Sequence, residues 1–279
     1  MLQLKSVFIT YDPHTRFKKE ALVDVNLRID LGEKVAIVGR IGSGKSTLIE
    51  VLAGLIKPSK GEVIIDSLNI TTDKILRREI VKRISVVFQY PEEQFFAETV
   101  FEEIAFGPRN LGLSDYEVKE RVEKALLDVG LNSSYLDKSP FGLSGGEKRK
   151  IAIASIVAIN PTYLILDEPT SNLDYAGKQS ILYYIKEKIS AHKTVIFVTH
   201  DMDEVLGIAD RVVALKEGRV LFDGNVNTFF EDDKLIQEIG LDTPFTFSFS
   251  KKLRSCFPGF PNCSTIDGIV DQLRQKKYV

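Results

Sequence analysis

Four short runs of apolar residues, each bounded by turn-forming residues, are typical of buried parallel strands. They occupy residues 35–39, 84–88, 163–167 and 194–199. Segments with a helical spacing of apolar residues lie between these runs, as crossover connections between parallel strands require. The pattern therefore predicts an α/β fold with a mostly parallel core sheet flanked by helices.

Three other segments alternate between apolar and polar residues, which favours an antiparallel sheet that buries one face. These segments are residues 3–10, 26–30 and 62–66. They predict an antiparallel β subdomain beside the parallel core.

A helical subdomain is predicted at about residues 90–160. Within it, residues 113–130 place apolar residues at helical spacing, and Ser114 is a suitable N-cap. After a strand pair at 211–224, the pattern changes to a helix at about 226–240 and then to a tail containing Phe and Pro. We therefore divide the chain near residue 225, into a main domain at 1–225 and a small C-terminal extension at 226–279.

Composition narrows the class of protein. The 279 residues are 44% hydrophobic and 27% charged, which is typical of a globular chain and excludes disordered and fibrous classes. The net charge is −2, from 37 basic and 39 acidic residues, so no overall field attracts nucleic acid or anionic lipid. A local basic patch stays possible, but we expect no nucleic acid partner.

Membrane insertion and secretion are not expected. The longest apolar run, residues 151–159, is far shorter than the ~20 residues that span a bilayer. The first residues alternate like a strand and lack the features of a signal peptide. We therefore expect a cytosolic chain, in which Cys256 and Cys263 are free thiols. Turn-forming residues between these two cysteines leave a disulfide open as the alternative.

The segment GRIGSGKST, residues 39–47, fits the phosphate-loop pattern and lies between a predicted strand and a predicted helix. Its glycines let backbone N–H groups close around phosphates, Lys45 can reach the β and γ phosphates, and Ser46 can bind Mg²⁺. A coincidental glycine-rich turn is the alternative. The predicted nucleotide-binding residues are Tyr11, Gly39, Arg40, Ile41, Gly42, Ser43, Gly44, Lys45, Ser46 and Thr47.

Two adjacent carboxylates end the predicted strand at 163–167. Asp167 is expected at the same edge of the sheet as the phosphate loop, where it would bind Mg²⁺. Glu168 is placed to orient the attacking water or accept its proton, a role worth roughly 10²- to 10⁴-fold in rate. A simple turn at the end of a strand is the alternative for this pair.

Three further residues have the position and chemistry for a nucleotide site. His200 ends another apolar strand and can contact the γ phosphate or Glu168, whereas His14 and His192 have no such context. Gln89 follows the strand at 84–88 and can direct its amide at the metal or the water. The ring of Tyr11 can stack on adenine, by analogy with base stacking on aromatic residues, although a core aromatic is the alternative.

The segment LSGGE contains Leu143, Ser144, Gly145, Gly146 and Glu147, and it predicts a second phosphate-binding helix N-terminus. Both helix N-termini cannot readily fold onto one γ phosphate from opposite sides. We therefore expect this segment to serve the nucleotide of another subunit, so that two chains arranged head to tail clasp two ATP molecules.

These motifs in this order resemble the nucleotide-binding domain of ATP-binding cassette (ABC) proteins, a P-loop NTPase fold, over roughly residues 1–225. The resemblance implies ATP and Mg²⁺ as cofactors, with Glu168, His200 and Gln89 as catalytic residues and Ser46, Gln89 and Asp167 as metal ligands. It also implies that Asp174 communicates across a dimer and that the helical subdomain docks a membrane subunit. Glu147 stands where the family commonly has Gln.

Residues 88–113 and the tail are similar to the ATPases of energy-coupling factor (ECF) transporters, which import vitamins or metal ions. This narrower resemblance implies a C-terminal extension that adds dimer contacts. It also implies a second ABC ATPase chain, with a heterodimer favoured and a homodimer possible. A transmembrane coupling protein and a substrate-binding membrane subunit would complete the assembly, with this chain peripheral at the cytoplasmic face of the membrane.

The sequence leaves other functions open. The chain could be the ATPase of another type of ABC importer, or a soluble ABC ATPase of DNA repair or translation. The soluble proteins usually contain coiled-coil or zinc insertions or a second cassette, and none appears here. A small-molecule kinase has no use for LSGGE, and a non-catalytic cassette is disfavoured by intact Lys45, Asp167, Glu168 and His200.

Overall fold

A computed structural model describes residues 1–72, 77–189 and 193–275, so His192 lies outside the described residues. The strands are β1 (Leu2–Tyr11), β2 (Lys19–Ile29), β3 (Lys34–Val38), β4 (Lys60–Ile65), β5 (Leu68–Asn69), β6 (Ile84–Val87), β7 (Tyr163–Asp167), β8 (Thr194–Val198), β9 (Arg211–Lys216) and β10 (Arg219–Asn225). The helices are α1 (Lys45–Leu52), α2 (Arg77–Arg83), α3 (Val100–Asn110), α4 (Asp115–Asp128), α5 (Gly145–Ala158), α6 (Tyr175–Tyr183), α7 (Met202–Ile208), α8 (Val226–Glu231), α9 (Asp233–Ile239), α10 (Phe245–Cys256) and α11 (Ile266–Gln275).

The core is a six-stranded sheet in the order β10-β9-β3-β8-β7-β6. All neighbouring strands run parallel except β10, which pairs with β9 in the antiparallel sense. Alternate residues of β3 enter different apolar clusters, because Ala36 and Val38 face one side of the sheet and Val35 and Ile37 face the other. Burial of both faces explains the uninterrupted apolar runs, and the predicted mostly parallel α/β fold is confirmed.

The predicted antiparallel sheet is also confirmed. Its strand order is β2-β1-β4-β5, and its apolar face packs with α1 against one side of the core sheet. Because β1 ends at Tyr11, this sheet brings an aromatic ring next to the phosphate loop. The antiparallel sheet therefore contributes to the site as well as to the core.

Helices α3, α4 and α5 make up the predicted helical region. Ser114 is the N-cap of α4, and its hydroxyl accepts a hydrogen bond from the Glu117 backbone N–H while the Glu117 side chain accepts one from the Ser114 N–H. This reciprocal capping confirms the predicted start of the helix. The described helices include none that is long and apolar enough to span a membrane.

The C-terminal extension differs from the sequence expectation in two ways. The prediction of a single helix at 226–240 is wrong. Asp232, with φ −91° and ψ 85°, interrupts the helix and is the N-cap of α9. The tail forms two additional helices, α10 and α11. Phe229 and Phe230 of α8 belong to the main core, whereas a small separate cluster surrounds Phe260. The division near residue 225 stays a prediction. Both cysteines are free thiols, Cys256 exposed and Cys263 buried.

Candidate active site

The phosphate loop connects β3 to α1 and depends on glycine at two close approaches. A Cβ atom at Gly39 (φ +147°) would lie 2.4 Å from the Leu215 carbonyl oxygen. One at Gly44 (φ +106°) would lie 2.6 Å from the Ala21 carbonyl oxygen. Any side chain at either position would therefore displace the loop from β9 or β2. Close packing against β9 and β2 thus explains why positions 39 and 44 are glycine. The other side of the loop faces the cleft.

Lys45 folds back over the loop that it follows. Its Nζ donates hydrogen bonds to the carbonyl oxygens of Gly39, at 2.7 Å, and Arg40, at 3.1 Å. Burial lowers the pKa of Lys45, and the negative charges of Glu168 and Asp167 oppose that shift. The Ser43 hydroxyl is buried and has no hydrogen-bond partner among the described residues. The loop therefore holds polar groups that an anion can satisfy.

Asp167 and Glu168 follow one another at the carboxyl end of β7. Burial and the neighbouring charge of Glu168 together raise the pKa of Asp167 to about 6, although the positive charge of Lys45 opposes the shift. Glu168 has a left-handed backbone (φ 50°), and its N–H donates to the Val198 carbonyl oxygen at 2.9 Å. Such a backbone is uncommon outside glycine, and here it turns the chain between the two carboxylates.

His200 contacts Glu168 directly. Its Nδ1 lies 2.8 Å from Glu168 Oε2, and the two side chains are 74% and 18% exposed respectively. Because a carboxylate can only accept, Nδ1 must hold the hydrogen in this contact. The other ring nitrogen, Nε2, is therefore the one available to accept or donate elsewhere in the cleft.

Sequence reasoning missed a buried carboxylate beneath this pair. Glu204, on α7, is 3% exposed and accepts hydrogen bonds from the hydroxyls of Thr170 and, at 2.8 Å, Thr199. Lys178 Nζ lies 3.1 Å from the same carboxylate. Since Thr170 follows Glu168 by two residues and Thr199 precedes His200, Glu204 joins the two loops. The sequence gives no distinct signal for this role, because Glu204 follows the acidic residues Asp201 and Asp203 at the start of α7.

A cleft of about 1110 Å³ lies over these elements. The predicted residues in its lining are Tyr11, Gly39, Arg40, Ile41, Gly42, Gly44, Lys45, Ser46, Thr47, Gln89, Asp167, Glu168 and His200. Ser43 is buried within the loop instead. The Tyr11 hydroxyl lies 3.3 Å from Thr47 Oγ1, and the ring is 39% exposed. The structure therefore brings together nearly all of the predicted nucleotide-binding and catalytic side chains, whose roles stay predictions.

The C-terminal extension also reaches this cleft, which the sequence did not indicate. Gly240 and Leu241, just after α9, belong to the lining. Arg40 Nε lies 3.5 Å from the Gly240 carbonyl oxygen, and a Cβ atom at Gly240 would lie 1.9 Å from that nitrogen. The left-handed backbone of Gly240 (φ +71°) favours glycine at this position, whereas the exposed Arg40 side chain is long enough to move away from a Cβ atom.

The LSGGE segment, residues 143–147, lies elsewhere on the surface. None of its residues belongs to the described lining of the cleft. Ser144 is the N-cap of α5, which confirms the predicted helix N-terminus, and Glu147 completes a capping box. The Tyr135 hydroxyl, 2.6 Å away, and the Ser144 donors lower the pKa of Glu147 to about 2. Asp174 likewise caps α6 by accepting from the Gly177 N–H at 2.8 Å.

A second, apolar groove lies between residues 88–96, here called the Gln89 segment, and helices α3 and α5. It has a volume of about 450 Å³ and is lined by Val81, Val86, Val87, Phe88, Pro91, Gln94, Phe95, Phe96, Glu103, Phe106, Gly107, Asn110, Leu111, Ala152, Ser155, Ile156 and Ile159. The rings of Phe96 and Phe106 stack edge to face at 4.8 Å and are 60% and 49% exposed. Exposed aromatic pairs of this kind are typical of protein-binding surfaces.

Comparison with known proteins agrees with this geometry. A model of the ABC transporter family matches residues 22–171, just over half of the 279 residues. The chain is 46% identical over 254 residues to the energy-coupling factor transporter ATP-binding protein EcfA2 of Caldanaerobacter subterraneus, covering 91% of this chain and 89% of that protein. It is 42% identical to EcfA2 of Enterococcus faecalis, covering 99% and 96% respectively.

Solved structures give the same assignment. The chain superposes on cbiO1 from Clostridium perfringens, part of the ABC transporter complex cbiONQ, with a TM-score of 0.74 and 34% identity over 85% of this chain and 93% of that one. It superposes on a dimeric, post-hydrolysis state of the ATP-binding cassette MJ0796 bound to ADP and Pi, with a TM-score of 0.72 and 31% identity over 81% and 99% respectively. The chain therefore belongs to the ABC transporter family and, within it, to the ATPases of energy-coupling factor transporters.

Proposed function

We propose that this chain forms a head-to-tail dimer with a second ABC ATPase and that each nucleotide lies between the phosphate loop of one chain and the LSGGE segment of the other. The observation that supports this most directly is the position of Ser144 and Gly145. Both are exposed, and neither belongs to the described lining of the chain's own cleft. A Cβ atom at Gly145 or Gly146 would meet nothing within 4 Å, so this surface has room for a ligand.

We assign Mg²⁺ to Ser46, Gln89 and Asp167, all three of which line the cleft. Their hydroxyl, amide and carboxylate oxygens suit this cation, which is usually held by one or two carboxylates together with phosphates and water. Among the described residues no group of three or more His, Cys, Asp or Glu could hold a metal alone. The donor set therefore fits a cation that arrives with the nucleotide, where it would neutralise phosphate charge.

The remaining side chains of the cleft would have different roles in hydrolysis. Lys45 would leave its two backbone acceptors for the phosphates, since a charged phosphate oxygen is a stronger acceptor than a carbonyl. Glu168 would orient the attacking water and accept its proton. His200 would hold the Glu168 carboxylate through Nδ1 and present Nε2 to the γ phosphate. Loss of that phosphate would remove the contact between the two chains.

The apolar groove is assigned to a helical segment of a transmembrane coupling protein. The exposed Phe96 and Phe106 rings offer apolar contact, and buried Glu103 accepts hydrogen bonds from the Phe96 and Ala97 N–H groups, at 3.1 and 3.0 Å. Glu103 is thereby satisfied within the chain, which leaves an apolar partner as the matching occupant. One relative, cbiO1, is described as part of a transporter complex, which agrees with such a partner.

The whole assembly would import a vitamin or a metal ion through separate membrane subunits, with this chain peripheral at the cytoplasmic face. We favour a heterodimer of two unequal ATPases, with a homodimer as the alternative. A ligand shifts a conformational equilibrium only through its different affinity for the two states. ATP meets that requirement, because only the closed dimer contacts it from both chains.

Affinity purification of the tagged chain from its native membrane tests the assignment. We expect a second ATPase and integral membrane proteins in the isolated complex. Phe106→Lys should remove the membrane proteins but keep the second ATPase, whereas Tyr116→Lys, on the exposed face of α4, should keep both. Recovery of the chain alone, or with nucleic acid, would contradict the proposed function.

A further inference from the structure

An arginine is buried in the helix that the LSGGE segment begins. Arg149, on α5, is 1% exposed and is among the largest fully buried side chains. A guanidinium stays protonated in proteins, so its burial is costly unless it is paired. Neither the phosphate chemistry nor the proposed metal site uses this side chain, and its contacts must therefore be explained separately.

Arg149 pairs with a carboxylate of the Gln89 segment. Its Nε lies 3.1 Å from Glu92 Oε2, and its Nη2 donates to Glu92 Oε1 at 3.3 Å. Glu92 belongs to a short 3₁₀ turn, Pro91–Gln94, that begins two residues after Gln89. This ion pair therefore joins the proposed metal-ligand loop to the LSGGE helix.

The same guanidinium contacts the loop that follows Glu168. Arg149 Nη2 donates to the Ser171 carbonyl oxygen at 3.3 Å. The Ser171 N–H and hydroxyl both donate to the Glu168 carbonyl oxygen, at 3.2 and 3.0 Å. Only one residue thus separates Arg149 from the backbone of the proposed catalytic carboxylate.

A second contact joins the same segments. We call the contacts of Arg149 with Glu92 and Ser171, together with this one, the junction. The Tyr90 ring lies 5.9 Å from the Arg149 guanidinium, and the Tyr90 hydroxyl accepts a hydrogen bond from Asn172 Nδ2 at 3.1 Å. Tyr90 and Asn172 both have left-handed backbones, with φ 54° and 59°. Non-glycine residues in that conformation are held there by their surroundings, so the junction constrains both loops.

The apolar groove adjoins this junction. Its lining includes Pro91 of the Gln89 segment, part of α3, and Ala152 and Ser155 of α5. Arg149 precedes Ala152 by one helical turn, and Glu92 follows Pro91 directly. The ion pair therefore joins two of the segments that line the groove, next to their lining residues.

We propose that Arg149 is a positioning residue that transmits a displacement of the Gln89 segment to the LSGGE helix and to the Glu168 loop. It does so as one rigid fork that contacts Glu92 and Ser171 together. A partner helix that moves one wall of the groove moves both nucleotide-facing segments with it. This inference rests on the proposed function, because it assigns a mechanical role to the groove and to the dimer site.

The test uses a double substitution that separates positioning from stability. Arg149→Met alone strands the Glu92 carboxylate and can unfold the chain, whereas replacing both members of a buried ion pair by apolar residues is often neutral or stabilising. We therefore expect the Arg149→Met/Glu92→Met chain to melt at the wild-type temperature and to bind ATP with a Kd within about twofold of wild type. Its kcat should fall about 10- to 100-fold, as misplaced catalytic groups cause.

Wild-type kcat in the double variant would overturn the inference, because a merely structural ion pair is dispensable once stability is restored. Arg149→Lys is the conservative variant: it keeps the charge beside Glu92 but loses the fork, so its kcat should also fall while its melting temperature is retained. Arg121→Met is the matched control, since Arg121 donates to the Ile159 carbonyl oxygen at the opposite end of α5, at 2.8 Å. Its kcat should remain that of wild type.

Failure of this inference differs from failure of the proposed function. Ser144→Arg tests the composite site without touching the ion pair. If Ser144→Arg abolishes turnover while the double variant retains it, only the role of Arg149 is wrong. If Ser144→Arg leaves turnover intact, the composite site is wrong. The complex isolated with the double variant should also contain the same membrane proteins as wild type, since no groove-lining residue has changed; their loss would contradict a positioning role.

Discussion

His200 Nδ1 lies 2.8 Å from Glu168 Oε2 in a cleft that also contains the phosphate loop. The carboxylate is largely shielded while the imidazole is largely exposed, so the two groups differ in their access to solvent. A general base that is held from one side keeps its other oxygen directed toward a water molecule. This contact therefore holds the proposed catalytic carboxylate in one direction within the cleft.

Removing the charge of Glu168 should separate binding from turnover. Glu168→Gln keeps a side chain of similar size, so we expect unchanged ATP affinity and a kcat lowered by about 10²-fold or more. The unhydrolysed nucleotide should then hold the dimer closed, which light scattering during gel filtration can measure with ATP and with ADP. A kcat equal to that of wild type would remove Glu168 from the role of base.

Blocking the LSGGE segment should abolish turnover without preventing ATP binding. In Ser144→Arg a bulky cation replaces the exposed N-cap of α5, so it obstructs the surface proposed to meet the partner's nucleotide. We expect fluorescent-ATP binding to the isolated chain to be unchanged and turnover to be lost. Ser134→Arg, another exposed serine of the same region, is the control and should hydrolyse ATP normally.

Glu204 should contribute to the stability of the fold. Glu204→Ala leaves the Thr170 and Thr199 hydroxyls without their buried acceptor and removes one partner of Lys178. Unsatisfied buried groups cost about 1–3 kcal/mol each, so we expect the free energy of unfolding to fall by about 2 kcal/mol or more. Urea denaturation measures this loss. Asp203→Ala, on the neighbouring position of α7, is the control, and a similar loss there would argue against the network.

Lys193 should make the stability depend on pH in the alkaline range. Burial, together with the positive charges of Lys124 and Arg121, lowers the pKa of Lys193 from 10.5 to about 8, although Asp128 opposes the shift. Between these two pKa values the unfolded chain binds more protons than the folded chain, so the contribution of Lys193 to stability rises with pH through this window.

Lys193→Met removes the titrating amine and therefore the contribution of Lys193 to the pH dependence of stability. The variant should therefore be more stable than wild type at pH 7, and its advantage should shrink by pH 9.5, as urea midpoints can show. Lys119→Met is the matched control, because the Lys119 side chain is 68% exposed. An advantage of Lys193→Met that is constant with pH would contradict the lowered pKa.

Features of the fold that depend on residues close together in the sequence were predictable, whereas features that depend on distant residues were not. The phosphate loop, the strand ends and the caps at Ser114 and Ser144 depend on residues a few positions apart, and the sequence predicted their local structure. Parallel strands with both faces buried have an apolar pattern of their own, so the core sheet was predictable as well. The interruption at Asp232 was not, because it divides a helix whose two halves both bury apolar side chains.

By itself, the sequence determined the α/β class, the main strands of both sheets and those residues of the cleft that belong to the phosphate loop and the strand ends, because strand ends and glycine-rich loops leave local patterns. Only the tertiary structure paired Arg149 with Glu92, 57 positions away, Glu204 with Thr170, 34 away, and Arg40 with Gly240, 200 away. A charged residue in a helix has the same pattern whether it faces solvent or a buried partner. Its partner is decided by which elements pack together, and that packing is the outcome of the whole core rather than of any one segment.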